Sequence, residues 1–208
     1  MIKMNKITKI FKPILFYVAL GLLVYALTLK INILDFDLWA RLINGFSIVN
    51  NGHVFYNDIV SYTQTHLWYD PEWLTSSLFY IVLQKFSGQG LVFLRFLLSY
   101  LIFIFIMFNI KNSKNETKNK YNLFFYLIIL LILIESGAIL FTVRCQLITY
   151  ILLGIWFFIL EKTRNNQNKY LIFLPIIMLF WLNLHGGSIA GVGIIILYAI
   201  GEFLNKKK

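Results

Sequence analysis

LVFLRFLLSYLIFIFIMFNI, residues 91–110, carries one charge, Arg95, and otherwise reads as a continuous apolar helix. A hydrocarbon core about 30 Å thick is crossed by about 20 helical residues, so this stretch alone predicts a transmembrane span. Five further segments match it in character: Pro13 to Leu29, Tyr121 to Ile134, Leu147 to Leu160, Tyr170 to Leu184 and Ser188 to Phe203. The third and fourth spans in chain order, Tyr121 to Ile134 and Leu147 to Leu160, are short; they extend through the residues between Glu135 and Gln146 or form a shallow hairpin. The fold class is therefore all-α, a polytopic bundle of about six spans forming one transmembrane domain over residues 1–208.

Composition excludes a water-soluble reading. Of 208 residues 59% are hydrophobic, 18% aromatic and only 13% charged, with a mean hydropathy of +0.74, too little polar matter to cover a soluble surface. The net charge of +10 does not point to nucleic acid, because the lysines fall in short blocks between apolar runs, as membrane orientation is encoded. The single cysteine, Cys145, excludes an internal disulfide and reads as a packed thiol. Lys3, Lys6, Lys9 and Lys12 precede the first span with no small-residue cleavage site after it, which predicts an uncleaved anchor.

Charge sets the orientation. With the N-terminus inside, the cytoplasmic segments collect those four lysines, Lys111, Lys114, Lys118 and Lys120, then Lys162, Arg164 and Lys169, and finally Lys206 to Lys208. Asp35, Asp37, Asp58, Asp70, Glu72 and Glu135 fall outside or at the outer edge. The positive-inside rule selects this arrangement, N-in and C-in, with membrane lipid as the first partner and the cell membrane as the location.

Residues 30–90 form a long outer loop, the kind of segment that carries function on a rigid scaffold. From Asp37, the polar residues Asp37, Arg41, Asn44 and Ser47 alternate at helical spacing with Leu38, Trp39, Leu42, Ile43, Phe46 and Val49, which predicts an amphipathic helix on the membrane. Asn50-Asn51-Gly52 ends it. Asp70-Pro71-Glu72 starts a second helix running to about Phe86, with Asp70 as cap and Pro71 at the first position. Asp35 reads equally as the cap of the first helix or as a functional acid. Asp37, near a span end, is placed to accept a proton or, with Asp35, to hold a divalent cation.

Other polar groups gather at the outer ends of the spans. Arg144 and Glu135 flank one turn, where a charge costs roughly 2.5–3.5 kcal/mol on insertion scales and needs a partner or a wet cavity. They pair with each other or snorkel to the interface, or Arg144 grips an anionic group such as a lipid phosphate through two donors. Asn183-Leu184-His185-Gly186-Gly187 reverses the chain between the last two spans and leaves His185 as a structural residue or as a donor to phosphate. Arg95 is a further cation facing the same side. Trp39, Trp68 and Trp73 are interface anchors or platforms for a sugar ring.

Several of these segments together resemble a bacterial group of polytopic membrane proteins related to C-type glycosyltransferases, which use polyprenyl-phosphate sugars. The matching pieces are Asp35-Phe36-Asp37-Leu38-Trp39, Asn51-Gly52-His53, Asp58-Ile59-Val60-Ser61-Tyr62-Thr63, Glu72-Trp73-Leu74, Arg144-Cys145-Gln146 and Asn183-Leu184-His185-Gly186-Gly187. Pro71 stands where that pattern has histidine, and Cys145 where it has proline. The resemblance implies a transferase taking its sugar from a polyprenyl-phosphate-linked donor. In it Asp37 is the general base, Glu72 an orienting or second acid, Arg144 and His185 stabilisers of the departing phosphate, and Asp35, Arg95 and Trp73 further binding residues. Members are usually longer, so it also implies a shortened form or N-terminal module. The alternative is a non-catalytic binding or assembly subunit with a partner membrane protein; a small transporter ranks last, since no inverted repeat is visible.

The orientation is tested by cysteine labelling of intact cells in a Cys145→Ser background. Asp58→Cys should react with an impermeant reagent and Glu116→Cys should not; the reverse pattern overturns the topology.

Overall fold

A computed structural model describes residues 2–30, 35–58, 62, 67–112 and 142–205. They form six α-helices: α1 (Ile2–Lys30), α2 (Phe36–Asn51), α3 (Trp73–Asn112), α4 (Gln146–Arg164), α5 (Phe173–Leu184) and α6 (Ile189–Asn205), with short 3-10 turns before α5 and α6. No strand occurs among the described residues. The expected span Tyr121 to Ile134, with Glu135, lies outside them, as do Ile59-Val60-Ser61 and Thr63.

Three described segments are long and apolar enough to cross a bilayer: Trp73–Asn109, Gln146–Arg164 and Gly186–Asn205. The first is not one straight rod. Ser87 has φ 56° and ψ −162°, and a Cβ built on Gly90 would meet the Val82 carbonyl oxygen at 3.2 Å. Eight residues along a straight helix separate atoms by about 12 Å, so the chain folds back here. The limb before Ser87 is the outer helix that the sequence predicts, and the limb after it holds the apolar run 91–110. Ile14–Lys30 and Asn168–Leu184 are shorter apolar helices.

The cap residues act as their chemistry dictates. Asp35, extended at φ −84° and ψ 137°, accepts from the Asp37 amide, and Gly52 ends α2 in the left-handed region at φ 71° with its N–H on the Ile48 carbonyl. Asp70 Oδ1 accepts the Glu72 amide at 2.9 Å, which starts α3.

Three apolar clusters join the helices. Leu20 and Val24 of α1 meet Ile102 and Phe103 of α3 and Leu147 of α4. Leu38 and Leu42 of α2 pack with Phe79 and Leu91 from both limbs of α3, and with Val143 and Cys145. Trp156, Ile159 and Leu160 of α4 pack on Leu174 and Trp181 of α5. The α2–α3 crossing is so close that a Cβ at Gly45 would collide with the Ser76 carbonyl and approach Tyr80 Cβ to 2.8 Å. Only glycine permits that approach.

α2 therefore has three faces. Leu38, Leu42, Gly45 and Ile48 face protein. Trp39, Ile43 and Phe46, expected on one apolar side with Leu38 and Leu42, are about half exposed, and Phe36 is almost wholly so. Asp37, Arg41 and Asn44 follow one another at steps of four and three along the remaining stripe.

Candidate functional site

One end of the bundle gathers the starts of α2, α3 and α4 and the turn between α5 and α6. At its centre Asp70, 5% exposed, accepts from Arg41 Nη1 at 2.5 Å, from Asn44 Nδ2 at 3.1 Å and from Ser76 Oγ at 3.3 Å. Burying a carboxylate is costly without such donors. Arg41 Nη1 also lies 3.3 Å from Glu72 Oε2. Burial opposes the arginine's charge, but Asp70 and Glu72 outweigh it and raise its pKa above the ordinary value.

The other oxygen of Glu72, Oε1, is 3.3 Å from His185 Nε2. The proton on that imidazole is placed by its neighbours. Gly187 N–H donates to Nδ1 at 3.0 Å, and an amide can only donate, so Nδ1 is bare. Trp181 Nε1–H donates to Thr149 Oγ1 at 2.9 Å, leaving the Thr149 hydroxyl proton free to point at Nδ1, 2.8 Å away. The ring is thus the neutral tautomer with its hydrogen on Nε2, facing Glu72. Burial lowers the His185 pKa; Glu72 works against that and Arg41 with it.

A second pair joins Asp35 to Arg144 Nε, so Arg144 meets the cap of α2; Glu135, the partner the sequence offered for it, lies outside the described residues. Asp35 is therefore both the cap of α2, a role the sequence offered, and the ion-pair partner of Arg144, which it did not. Trp73 Nε1 donates to Asn183 Oδ1 at 2.7 Å and Thr75 Oγ1 to the Leu184 carbonyl at 2.6 Å, closing the exposed end of α5. Arg95 points to α1, donating from Nη2 to the carbonyl of Thr28 in the last turn of that helix, where a cation also suits the helix dipole.

The sequence-derived candidates thus fall into three positions. Glu72, His185 and Trp73 meet directly or through Asn183, and Asp35 pairs with Arg144. Arg95 ties down α1. Asp37 is exposed, one turn before Arg41 on the polar stripe, and forms no ion pair among the described residues. Among the described residues no three acidic, histidine or cysteine side chains are placed to hold a metal, and Asp35, the partner expected for Asp37 in a cation site, is engaged by Arg144. Cys145 is buried, and burial followed by Glu72 raises its pKa, so it is a neutral packed thiol.

Arg41, Thr149 and Trp181 were not singled out by the sequence reading as site residues. Arg41 carried a usable signal, an arginine on the polar stripe of a helix leading to Asp70-Pro71-Glu72. Thr149 did not, being one hydroxyl in an apolar helix. A small cleft opens beside the cluster between Asn44, Ile48, Phe55, Trp68 and Asp70. The chain matches no protein-family model, no curated protein and no solved structure.

His185 supplies a pH prediction. Its folded pKa lies below the ordinary 6.5, so between the two values the unfolded chain holds a proton that the folded chain does not, and stability falls as pH drops below about 6.5. Unfolding in detergent should show this loss as pH falls below about 6.5, and His185→Gln should remove it. An unchanged slope in the variant contradicts the assignment, as would a nitrogen NMR spectrum showing the proton on Nδ1.

Proposed function

We propose that the chain is a multi-pass protein of the cell membrane, N-in and C-in, that works as a glycosyltransferase-like protein on a polyprenyl-phosphate sugar at the outer face. One observation carries this reading. The sequence pieces that resemble C-type glycosyltransferases are scattered from Asp35 to Gly187, yet they meet in pairs in space: Asp35 with Arg144, Glu72 with His185, and Trp73 with Asn183.

In this reading Asp37, the exposed carboxylate beside the cluster, takes the proton of an acceptor hydroxyl. The acceptor oxygen bonds to the anomeric carbon as the bond from that carbon to the phosphate oxygen breaks, and the polyprenyl phosphate leaves with the electron pair. His185 offers its Nε2 hydrogen and Arg144 its remaining guanidinium hydrogens to the departing oxygen. The uncovered side chains of Phe36, Trp39, Ile43 and Phe46 lie in the bilayer interface, holding α2 at the depth of a lipid-borne donor.

A second reading, a non-catalytic binding or assembly subunit, draws on the charge pairing. Arg41 and Arg144 are both engaged by carboxylates of the chain, so a phosphate must compete for them. Transfer from labelled polyprenyl-phosphate hexoses in proteoliposomes separates the two. The transferase reading expects turnover by the wild type, a fall of about 10²-fold or more in Asp37→Asn with donor binding retained, and weaker donor binding in Arg144→Ala. Equal transfer by wild type and Asp37→Asn removes the aspartate from the mechanism, and no transfer by either leaves the subunit reading.

A further inference from the structure

The opposite end of the bundle, where α4 turns into α5, carries two lysines held over one aromatic group. Lys162 Nζ lies 5.2 Å from the centre of the Phe158 ring and Lys169 Nζ 5.5 Å from that of Tyr170, and the two rings are 6.3 Å apart. Each ammonium is thus restrained by a ring face, which limits the entropy lost when it meets an anion. The acids at this end are turned elsewhere: Glu161 accepts from Tyr198 Oη at 3.4 Å and lies 3.9 Å from Arg164, and Glu202 lies 3.5 Å from Arg164. Neither lysine has a carboxylate partner among the described residues. Directly beyond Tyr170, Ile172 at the end of the 3-10 turn and Phe173 and Ile176 of α5 are about half to two-thirds exposed.

We propose that Lys162, Lys169 and the Tyr170 hydroxyl form a headgroup site for an anionic phospholipid, whose acyl chain lies along Ile172, Phe173 and Ile176. A cationic corner joined to an apolar strip is complementary to a molecule with an anionic head and a hydrocarbon tail. A free anion would use the first half only. The reading requires only that the bundle crosses a bilayer, so its failure and that of the transferase reading are independent.

The test uses the full chain in nanodiscs of phosphatidylcholine with increasing phosphatidylglycerol, followed by thermal midpoint and by native mass spectrometry of retained lipid. Phosphatidylglycerol should raise the wild-type midpoint. Lys169→Gln, at an exposed position, should weaken the apparent lipid affinity about fivefold, and adding Lys162→Gln about fivefold again, whereas Lys162→Arg with Lys169→Arg should retain the gain. Inorganic phosphate in pure phosphatidylcholine discs should give none. Equal phosphatidylglycerol gains in the wild type and the Gln variants overturn the proposal. An equal gain from inorganic phosphate overturns the lipid assignment in favour of a free-anion site.

Discussion

The buried carboxylate of Asp70, with its donors, is the interaction on which the joined starts of α2 and α3 depend. It accepts from Arg41, Asn44 and Ser76 and from the Glu72 amide, so one side chain starts α3 and fastens α2 to it. A charge in that position is tolerable only with its donors in place, because an unpaired buried carboxylate costs several kcal/mol. The close approach at Gly45 is the steric side of the same joint: it brings Arg41, one turn before it, and Asn44, the residue next to it, within reach of Asp70.

From Asp70 the linkage passes outward through single hydrogen bonds and ion pairs. Arg41 connects Asp70 to Glu72, Glu72 faces His185, and Thr149 with Trp181 fixes which nitrogen of His185 carries hydrogen. Helix ends are closed by the same elements, α5 by Thr75 and α1 by Arg95. In an apolar surrounding these backbone groups have no water to turn to. Much of the polar chemistry at this end is therefore structural: it satisfies buried groups and turns the His185 Nε2 hydrogen to Glu72, while Asp37 is left as an exposed carboxylate.

Local features of this arrangement were legible in the sequence. Aspartate followed by an apolar helical period marked the start of α2, Asn-Asn-Gly its end, and Asp70-Pro71-Glu72 the start of α3, because caps depend on neighbours a few residues away. The second helix was bounded at about Phe86 and the next span at Leu91, and the chain does reverse between them, at Ser87. Partner choice was not legible. Arg41 and Asp70 are 29 residues apart, and nothing in either segment states that Gly45 lets the helices approach closely enough for them to meet. Arg95 read as a cation for an outer cavity, yet its partner is the backbone carbonyl of Thr28, a group every residue possesses and no motif advertises. The joint roles of Asp35 likewise required the position of Arg144 in space.

Arg41 and Asp70 form one coupled, buried joint, and a double-mutant cycle on them measures that coupling. Asp70→Asn keeps the cap and removes the charge. Unfolding free energies in detergent should show Arg41→Met costing about 3–5 kcal/mol in the native background, where it strands a buried carboxylate, and at least about 1 kcal/mol less in the Asp70→Asn background. The same cost in both backgrounds would mean that the two residues act independently, and would contradict the joint as the organising feature of the fold.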